Sequence, residues 1–438
     1  METQEKKQKF TQSITFKALT VAALTLLLLI PKAMITGLID ERQKRSKETI
    51  QKINEKWSDS QSICGPVLTL PYDTKITEWE TVNGQQKQKV SYREDKVNIA
   101  PSRVNIDVKL FPEEKYYGIY KTTLYRSEVN ISGSFDNLDE FDNYDGAWQQ
   151  AYITIGISDL KGLVSDAAFT VNGNTYTAEA EGNTNWFSGN TLKIPLKNFE
   201  KTPNAKNEFS CKLTLNGSES INFIPVGKTT EVKISGKWAS PSFVGNFSPQ
   251  STIENGNFSA KWHIMHFNRN IPEVWDNSAS KYFENSSFGV RLIETVDHYQ
   301  QNERSAKYAL MFIALTFVVF FFVEALTKKK IHIVQYLLVG IALILFYSLL
   351  LSISEQIGFA LAYLIASLAT IGLISAYAQS IFKNKLHTGI LALIISVLYI
   401  FLYVILQLED LALLIGSIGL FTILGVIMYL SRKMNFSK

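Results

Sequence analysis

The sequence is poor in the residues on which most protein chemistry depends. Its 438 residues include two cysteines and five histidines. Cys64 and Cys211 are too few for a disulfide scaffold. They are either a candidate disulfide pair in an oxidising compartment or two small buried hydrophobes. The one close histidine pair, His263 and His266, falls on an expected strand, where residues three apart face opposite sides and cannot share a metal. Gly-x-Ser-x-Gly and glycine-rich phosphate loops are both missing. No catalytic set, cofactor or metal is therefore expected, and the chain reads as a non-enzyme. The net charge is only +4, and no Lys/Arg stripe interleaved with aromatics marks a nucleic-acid face. A small-residue cleavage site is also missing after the first apolar run. Pro31-Lys32 stands there instead, and the apolar pattern resumes at Met34, Ile35, Leu38 and Ile39, so an uncleaved signal anchor is expected.

What the chain does have is two chemistries in sequence. Residues 39–306 are polar, whereas 307–431 are almost unbroken Leu, Ile, Val, Phe, Ala and Tyr. A bilayer span takes about 20 apolar residues. Six stretches qualify: 16–38, 307–326, 333–353, 357–381, 386–407 and 411–430. Lys6, Lys7 and Lys9 precede the first. Lys328, Lys329 and Lys330 join the second to the third, Lys383 and Lys385 join the fourth to the fifth, and Arg432, Lys433 and Lys438 close the chain. The other two short loops lack Lys and Arg. The positive-inside rule then puts both termini (1–15 and 432–438) in the cytoplasm and the polar segment outside it.

Residues 39–57 read as an amphipathic stalk helix with Ile50, Ile53 and Trp57 at helical spacing. From Ser58 the period changes to two. β-branched and aromatic runs such as 103–111, 119–135, 209–215 and 231–238 alternate with Gly, Asn and Asp clusters, so residues 58–296 form a β-rich domain, or two smaller ones. Asp297 with Gln300 resembles a capping box that starts a helix running unbroken to about 326, which would make it the mechanical coupling element. Residues 297–431 then hold this juxtamembrane helix and spans two to six. The predicted fold is a membrane protein with one N-terminal transmembrane helix, a large β-rich outer domain and a C-terminal five-helix bundle.

Within the bundle no charge sits mid-span, which weakens a proton-coupled transport reading. Glu324 lies one turn before Lys328 and reads as a headgroup-level ion pair. Glu355 and Glu409-Asp410 sit at the two outer hairpin tips and read as solvated loop acids. Their spacing, in two hairpins that each end in a basic cluster, suggests a tandem hairpin duplication. Gly358, Ala362, Ala366 and Thr370 make a small-residue stripe, as do Ala412 and Gly416, and such stripes serve close helix packing.

Several phrases in the chain resemble the CreD family of inner-membrane proteins along nearly its whole length. They begin with Leu38-Ile39-Asp40-Glu41-Arg42 and Cys64-Gly65-Pro66-Val67-Leu68, and continue through Tyr117-Gly118-Ile119-Tyr120 and Ile157-Ser158-Asp159-Leu160-Lys161-Gly162. Trp238-Ala239-Ser240-Pro241-Ser242-Phe243-Val244-Gly245 and Asp297-His298-Tyr299-Gln300 follow. The most specific are Gln335-Tyr336-Leu337-Leu338-Val339-Gly340 and the stretch 352–367 around Glu355-Gln356-Ile357-Gly358. One departure is Ser248, where an apolar residue is expected. The resemblance implies a bacterial inner-membrane protein tied to cell-envelope integrity, a two-component regulon, colicin tolerance and β-lactam response, with the outer domain in the periplasm. It supplies no catalytic residues. Asp297, His298, Tyr299, Gln300, Gln335, Glu355, Gln356 and Tyr363 are candidate functional or coupling positions without an assigned role.

The expected partners are the lipid bilayer and a periplasmic or envelope protein or lipid. The alternative is a transporter or lipid-handling protein with an extracytoplasmic substrate domain. A water-filled cavity lined by Tyr363, Gln335 and Glu355 would favour that alternative, whereas an enzyme would need a pocket where acids and a His converge.

Overall fold

Alternation of buried and exposed residues builds most of the middle of the chain. In β3 (Arg103–Tyr117), Val104, Ile106, Val108 and Leu110 point inward while Arg103, Asn105, Asp107 and Lys109 point out, the period-two pattern of a half-buried strand. The computed structural model describes residues 14–82, 85–141, 147–182, 184, 186–197, 199, 206–276, 283–292, 298–327, 329, 331–408 and 411–432. Two compact units result, Glu48–Thr295 and the two flanking segments Met1–Lys47 with Val296–Lys438.

The β unit is a sandwich of two sheets around one shared core. The first sheet has the order β13 (Pro241–Gly245), β17 (Phe288–Leu292), β11 (Ser220–Ile224), β1 (Gln61–Val82), β5 (Tyr152–Ile157), β9 (Asn190–Pro195) and β8 (Glu179–Glu181). Off this path, β2 (Gln85–Ile99) pairs with β1, and β16 (Val274–Trp275) pairs with β2. The second sheet runs β14 (Gln250–Glu254), β15 (Asn257–Met265), β12 (Thr229–Lys237), β3, β4 (Tyr120–Phe135), β10 (Asn207–Ser218), β6 (Ala168–Val171) and β7 (Asn174–Thr177). Ile63, Leu68 and Ile155 from one sheet and Val108, Val129 and Leu213 from the other join a single buried cluster. The sequence left one or two β bodies open, and this common core makes them one. Two pairings are parallel, β1 with β11 and β12 with β3.

The chain enters and leaves this unit at one corner. Asn54 donates to Glu219 Oε1 at 2.9 Å and accepts from Thr122 Oγ1 at 2.9 Å. Ser218 N–H bonds the Asp59 carbonyl at 3.4 Å, and the departing Leu292 N–H bonds the Glu219 carbonyl at 2.7 Å. Just inside the corner sits Gln61, fully buried. Its Nε2 donates to Ser58 Oγ (2.8 Å), Asp159 O (2.9 Å) and Asn216 O (3.0 Å). Its Oε1 accepts from Ser158 Oγ at 3.3 Å and Asp159 N–H at 3.4 Å, so the Ser158-Asp159 phrase is a structural joint. From elsewhere in the first sheet, β1 and β2 continue as a two-stranded arm. Beyond Tyr72 and Asp95 both faces are largely exposed, Trp79 at 65% and Tyr92 at 69%.

The helical unit comprises α1 (Ile14–Leu27), the part of α2 (Leu29–Trp57) up to Lys47, α3 (His298–Lys307), α4 (Ala309–Thr327), α5 (Ile333–Ile357), α6 (Phe359–Phe382), α7 (Lys385–Gln407) and α8 (Ala412–Ser431). Leu19–Trp57, α5, α6 and α7 are each long and apolar enough to cross a bilayer, α3 with α4 qualifies as a bent pair, and Leu414–Tyr429 is a shorter apolar helix. The expected unbroken helix to residue 326 is thus corrected: it bends by 47° between α3 and α4. Tyr308 N–H bonds Ser305 O, three residues back, at 3.1 Å, and that tighter turn breaks the helical ladder. Asp297 lies outside the described residues. Ala362, Ala366 and Thr370 are buried along α6, as close packing requires. At Gly340 in α5 an added Cβ would run into Leu28 and Phe317, so the glycine lets the N-terminal helix approach.

Candidate functional site

Polar side chains in an apolar bundle are costly, so where they cluster is informative. In the helical unit they form two nodes, at opposite ends of α5. The first gathers Arg42 from α2, Tyr299, Asn302 and Arg304 from α3, and Ser354 and Glu355 from the last turn of α5. Tyr299 OH donates to Glu355 Oε1 at 3.0 Å, and Arg42 Nη1 stands 4.0 Å from Oε2. The Glu355 side chain is only 9% exposed. Asn302 Nδ2 donates to Ser354 Oγ and to the His298 carbonyl, both at 2.8 Å, while Ser354 Oγ donates to Leu351 O at 2.9 Å. Arg304 Nη2 reaches the Leu408 carbonyl just past α7 at 2.7 Å, a cation on the negative end of a helix dipole.

The second node centres on Glu324, near the end of α4. Its carboxylate accepts from Tyr336 OH at 3.0 Å and from Ile331 N–H at 3.0 Å, and it pairs with Lys17 of α1. Lys329 Nζ bonds the Phe382 carbonyl at the end of α6. From Tyr336 to Glu355 is about 28 Å along α5 by helical rise, close to the thickness of a bilayer's hydrocarbon core. Each node has the same parts: one nearly buried carboxylate, one tyrosine hydroxyl, one cation from the N-terminal helices, and a second cation on a helix C-terminus.

Sequence reasoning found part of this. Tyr299 and Glu355 are brought together. His298 rests against the Tyr299 ring at 4.2 Å between centroids. Gln356 is exposed at the α5–α6 turn, and Gln300 on α3 makes none of the contacts of the node. Gln335 is a capping residue: its Oε1 accepts from His332 N–H at 2.8 Å, while His332 Nδ1 accepts from Val334 N–H at 3.3 Å. Tyr363 is buried among Phe346, Phe359, Tyr399 and Tyr403, its hydroxyl donating to the Tyr399 carbonyl at 2.7 Å. Gln335 lies near the start of α5 and Glu355 near its end, so the three residues that would line a transport cavity are not assembled. Glu355 is a nearly buried, bonded carboxylate rather than the solvated loop acid expected. For Glu324 the observed cation is Lys17, since Lys328 lies outside the described residues, as do Glu409 and Asp410.

The two cysteines do not pair. Both are buried free thiols, Cys64 in β1 of the first sheet and Cys211 in β10 of the second. Burial pushes the Cys211 thiol up to about 12 and the Cys64 thiol higher still. Beside Cys64, a small cluster of Val226, Ile271, Trp186, Trp275 and Phe283 encloses Arg269, which is 6% exposed. Arg269 Nη2 donates to Val226 O at 2.6 Å and Gly227 O at 3.0 Å, Nε donates to Gly227 O at 3.2 Å, and Nη1 bonds Ile271 O. Burial lowers its pKa to about 10 against the pull of Glu273. No sequence pattern announced this residue, because its acceptors are backbone carbonyls. His263 is exposed on β15 beside Glu231 at 3.4 Å, and His266 begins the turn that follows. Among the described residues, no three His, Cys, Asp or Glu side chains converge as a metal would need.

Comparison with known proteins agrees with the family reading. The family model described as "Inner membrane protein CreD" matches residues 13–437. The inner membrane protein CreD of Escherichia coli (strain K12) is 30% identical over 426 residues, covering 96% of this chain and 93% of that protein. Among solved structures, an M1 zinc metallopeptidase from Deinococcus radiodurans is 8% identical, covers 44% of this chain and 42% of its own, and has a TM-score of 0.22. A point mutant of the same enzyme gives the same values. At that score the likeness carries no argument.

Proposed function

The chain belongs to the CreD family of inner membrane proteins, and we propose that it acts without catalysis, as a scaffold whose β unit contacts an envelope partner. It is a multi-pass protein. In this reading it crosses the membrane six times, counting α3 with α4 as one bent span and α8 as the last. Both termini are cytoplasmic and the β unit is periplasmic, with Lys6, Lys7, Lys9, Lys329, Lys383, Lys385 and Arg432 all on the cytoplasmic side. Its role is to support envelope integrity and tolerance to stresses such as colicins and β-lactams.

The observation that carries the partner contact is the β1–β2 arm. A two-stranded ribbon exposed on both faces has little stability of its own, and its unpaired edges invite another chain. Trp79, Val90 and Tyr92 stand exposed on it, the kind of aromatic anchor that dominates interfaces. A photo-crosslinking residue at Trp79 or Tyr92, introduced in intact cells, tests this. A discrete envelope protein should be captured from the arm and not from Ser210 on the opposite sheet. Capture of lipid alone, or equal capture from both sites, would remove the scaffold reading.

A further inference from the structure

The outer face of the second sheet changes character from one row of side chains to the next. Asn105 on β3 lies opposite Ser132 on β4, Ser132 opposite Ser210 on β10, and Ser210 opposite Thr170 on β6. The next row on the same strands reads Asp107, Asn130, Lys212 and Ala168, so charge returns at once. Four short uncharged side chains in line make a trough across the strands, about 14 Å long at a strand spacing of about 4.8 Å. Loops wall it where β4 ends (Asp136, Asn137), where β10 begins (Lys206) and where β6 turns back (Asn172, Gly173). The resulting groove has a volume of about 890 Å³, within the ~300–1,000 Å³ of ligand sites.

The chemistry of the lining narrows what fits. Asp136 Oδ1 is buried and has no donor among the described residues, and a buried acceptor is expected to be satisfied by something. The side chains of Arg103, Asn105, Ser132, Ser134 and Ser210, which also line the groove, hold no hydrogen bond or ion pair among the described residues. Lys228 is already paired with Glu273 at 3.6 Å. Arg103 and Lys206 then stand against Asp136 and Glu208, a balance of zero charge. A phosphate polymer would need an excess of cations, and an apolar ligand would strand these polar groups. An extended peptide pairs with a sheet's edge rather than its face. What suits the groove is a neutral molecule dense in hydroxyls, since serine hydroxyls and asparagine amides each donate and accept. A row that crosses four strands suits a chain of such units better than a single one.

We propose that this groove binds an uncharged oligosaccharide lying across β3, β4, β10 and β6, with Asp136 accepting from a sugar hydroxyl. The site is independent of what the β-unit arm contacts. The full-length protein in nanodiscs, titrated calorimetrically with N-acetylglucosamine tetramers and separately with glucose tetramers, provides the test. At least one should bind saturably at one equivalent per chain. Binding of the first alone would mark an amide-bearing sugar chain as the ligand, binding of the second alone a glucan, and binding of both a site that reads hydroxyls. The affinity should not change when the salt concentration is raised tenfold, because the ligand is neutral. Ser210→Trp, at an exposed position, fills the trough and should abolish binding, and Asp136→Ala should weaken it about tenfold. Thr252→Trp, exposed on β14 outside the groove, should leave it intact. Should Asp136→Ala fail to fold, Ser210→Trp still decides. No saturable binding of either tetramer, or undiminished binding by Ser210→Trp, would overturn the proposal. Binding that falls steeply with salt would overturn it as well, in favour of an anion held by Arg103 and Lys206.

Discussion

Tyr299→Phe should destabilise the helical unit more than removal of the neighbouring cation does. Glu355 is almost buried and has two partners of different kinds. Tyr299 OH makes a hydrogen bond to a charged acceptor at 3.0 Å, an interaction worth about 1.5–3 kcal/mol. Arg42 at 4.0 Å has a gross Coulomb attraction of about 4 kcal/mol at an effective dielectric constant of about 20. Its side chain is 41% exposed, however, and exposed pairs retain only about 0.2–1 kcal/mol after screening and side-chain entropy. The order of cost is therefore Tyr299→Phe above Arg42→Gln. Glu355→Gln should cost least at the hydrogen bond, because the amide oxygen still accepts from Tyr299. The seven tryptophans, Trp57, Trp79, Trp148, Trp186, Trp238, Trp262 and Trp275, all belong to the β unit. Tryptophan fluorescence thus reports the β unit alone, and far-UV ellipticity is dominated by the helices. Denaturant titration of the full chain in mixed micelles should shift the ellipticity transition and leave the fluorescence transition in place. If Arg42→Gln costs as much as Tyr299→Phe, the node is held by charge and the ranking is wrong.

Three further outcomes are expected. Both thiols should resist maleimide at pH 8 in the folded protein and react once it is unfolded, because only the thiolate attacks. Between the ordinary thiol value of about 8.5 and the folded value of about 12 for Cys211, the folded chain keeps a proton that the unfolded chain gives up. Stability should therefore fall as pH climbs through that window, and rapid native labelling of Cys211 would contradict it. Arg269→Met should lower β-unit stability by about 2–4 kcal/mol through the carbonyls it leaves unpaired, with Arg269→Lys recovering only part of it; an unmoved fluorescence transition in Arg269→Met would show the carbonyls to be otherwise satisfied. Gln61→Leu keeps the volume but removes the corner's hydrogen bonds, at about 1.5–4 kcal/mol, and an unchanged fluorescence transition would mean that Gln61 is not a joint.

The apolar helices and the alternating strands were legible because each is written in local periodicity. What was not legible depends on contacts distant in sequence. β1 pairs in parallel with β11 and β12 with β3, and nothing near Gln61 or Arg103 in the chain says so. The break after Ser305 escaped notice because no Pro or Gly marks it. Glu324 was matched to Lys328, which lies outside the described residues, and its observed partner Lys17 comes from the other end of the chain, where no local pattern points to it. Tyr299 and Glu355 were singled out separately, but their bond, and Arg42 beside it, required the fold. Gln335 was singled out as part of a motif, and the structure gives it a local job, capping a helix with His332, which a capping-box pattern beginning at His332 would have shown.

The separation of Lys17 from Glu324, 307 positions, has a consequence for the order in which the protein can be made. At about 5–20 residues per second, the ribosome needs roughly 15–60 s to deliver the acid after the base. Throughout that interval the first helix must hold its place in the bilayer unaided, while the whole β unit is made and begins to fold. The N-terminal helix is therefore under two demands at different times, to be a self-sufficient anchor early and a docked member of the bundle late. A basic residue at each end, able to reach water until its carboxylate arrives, meets both.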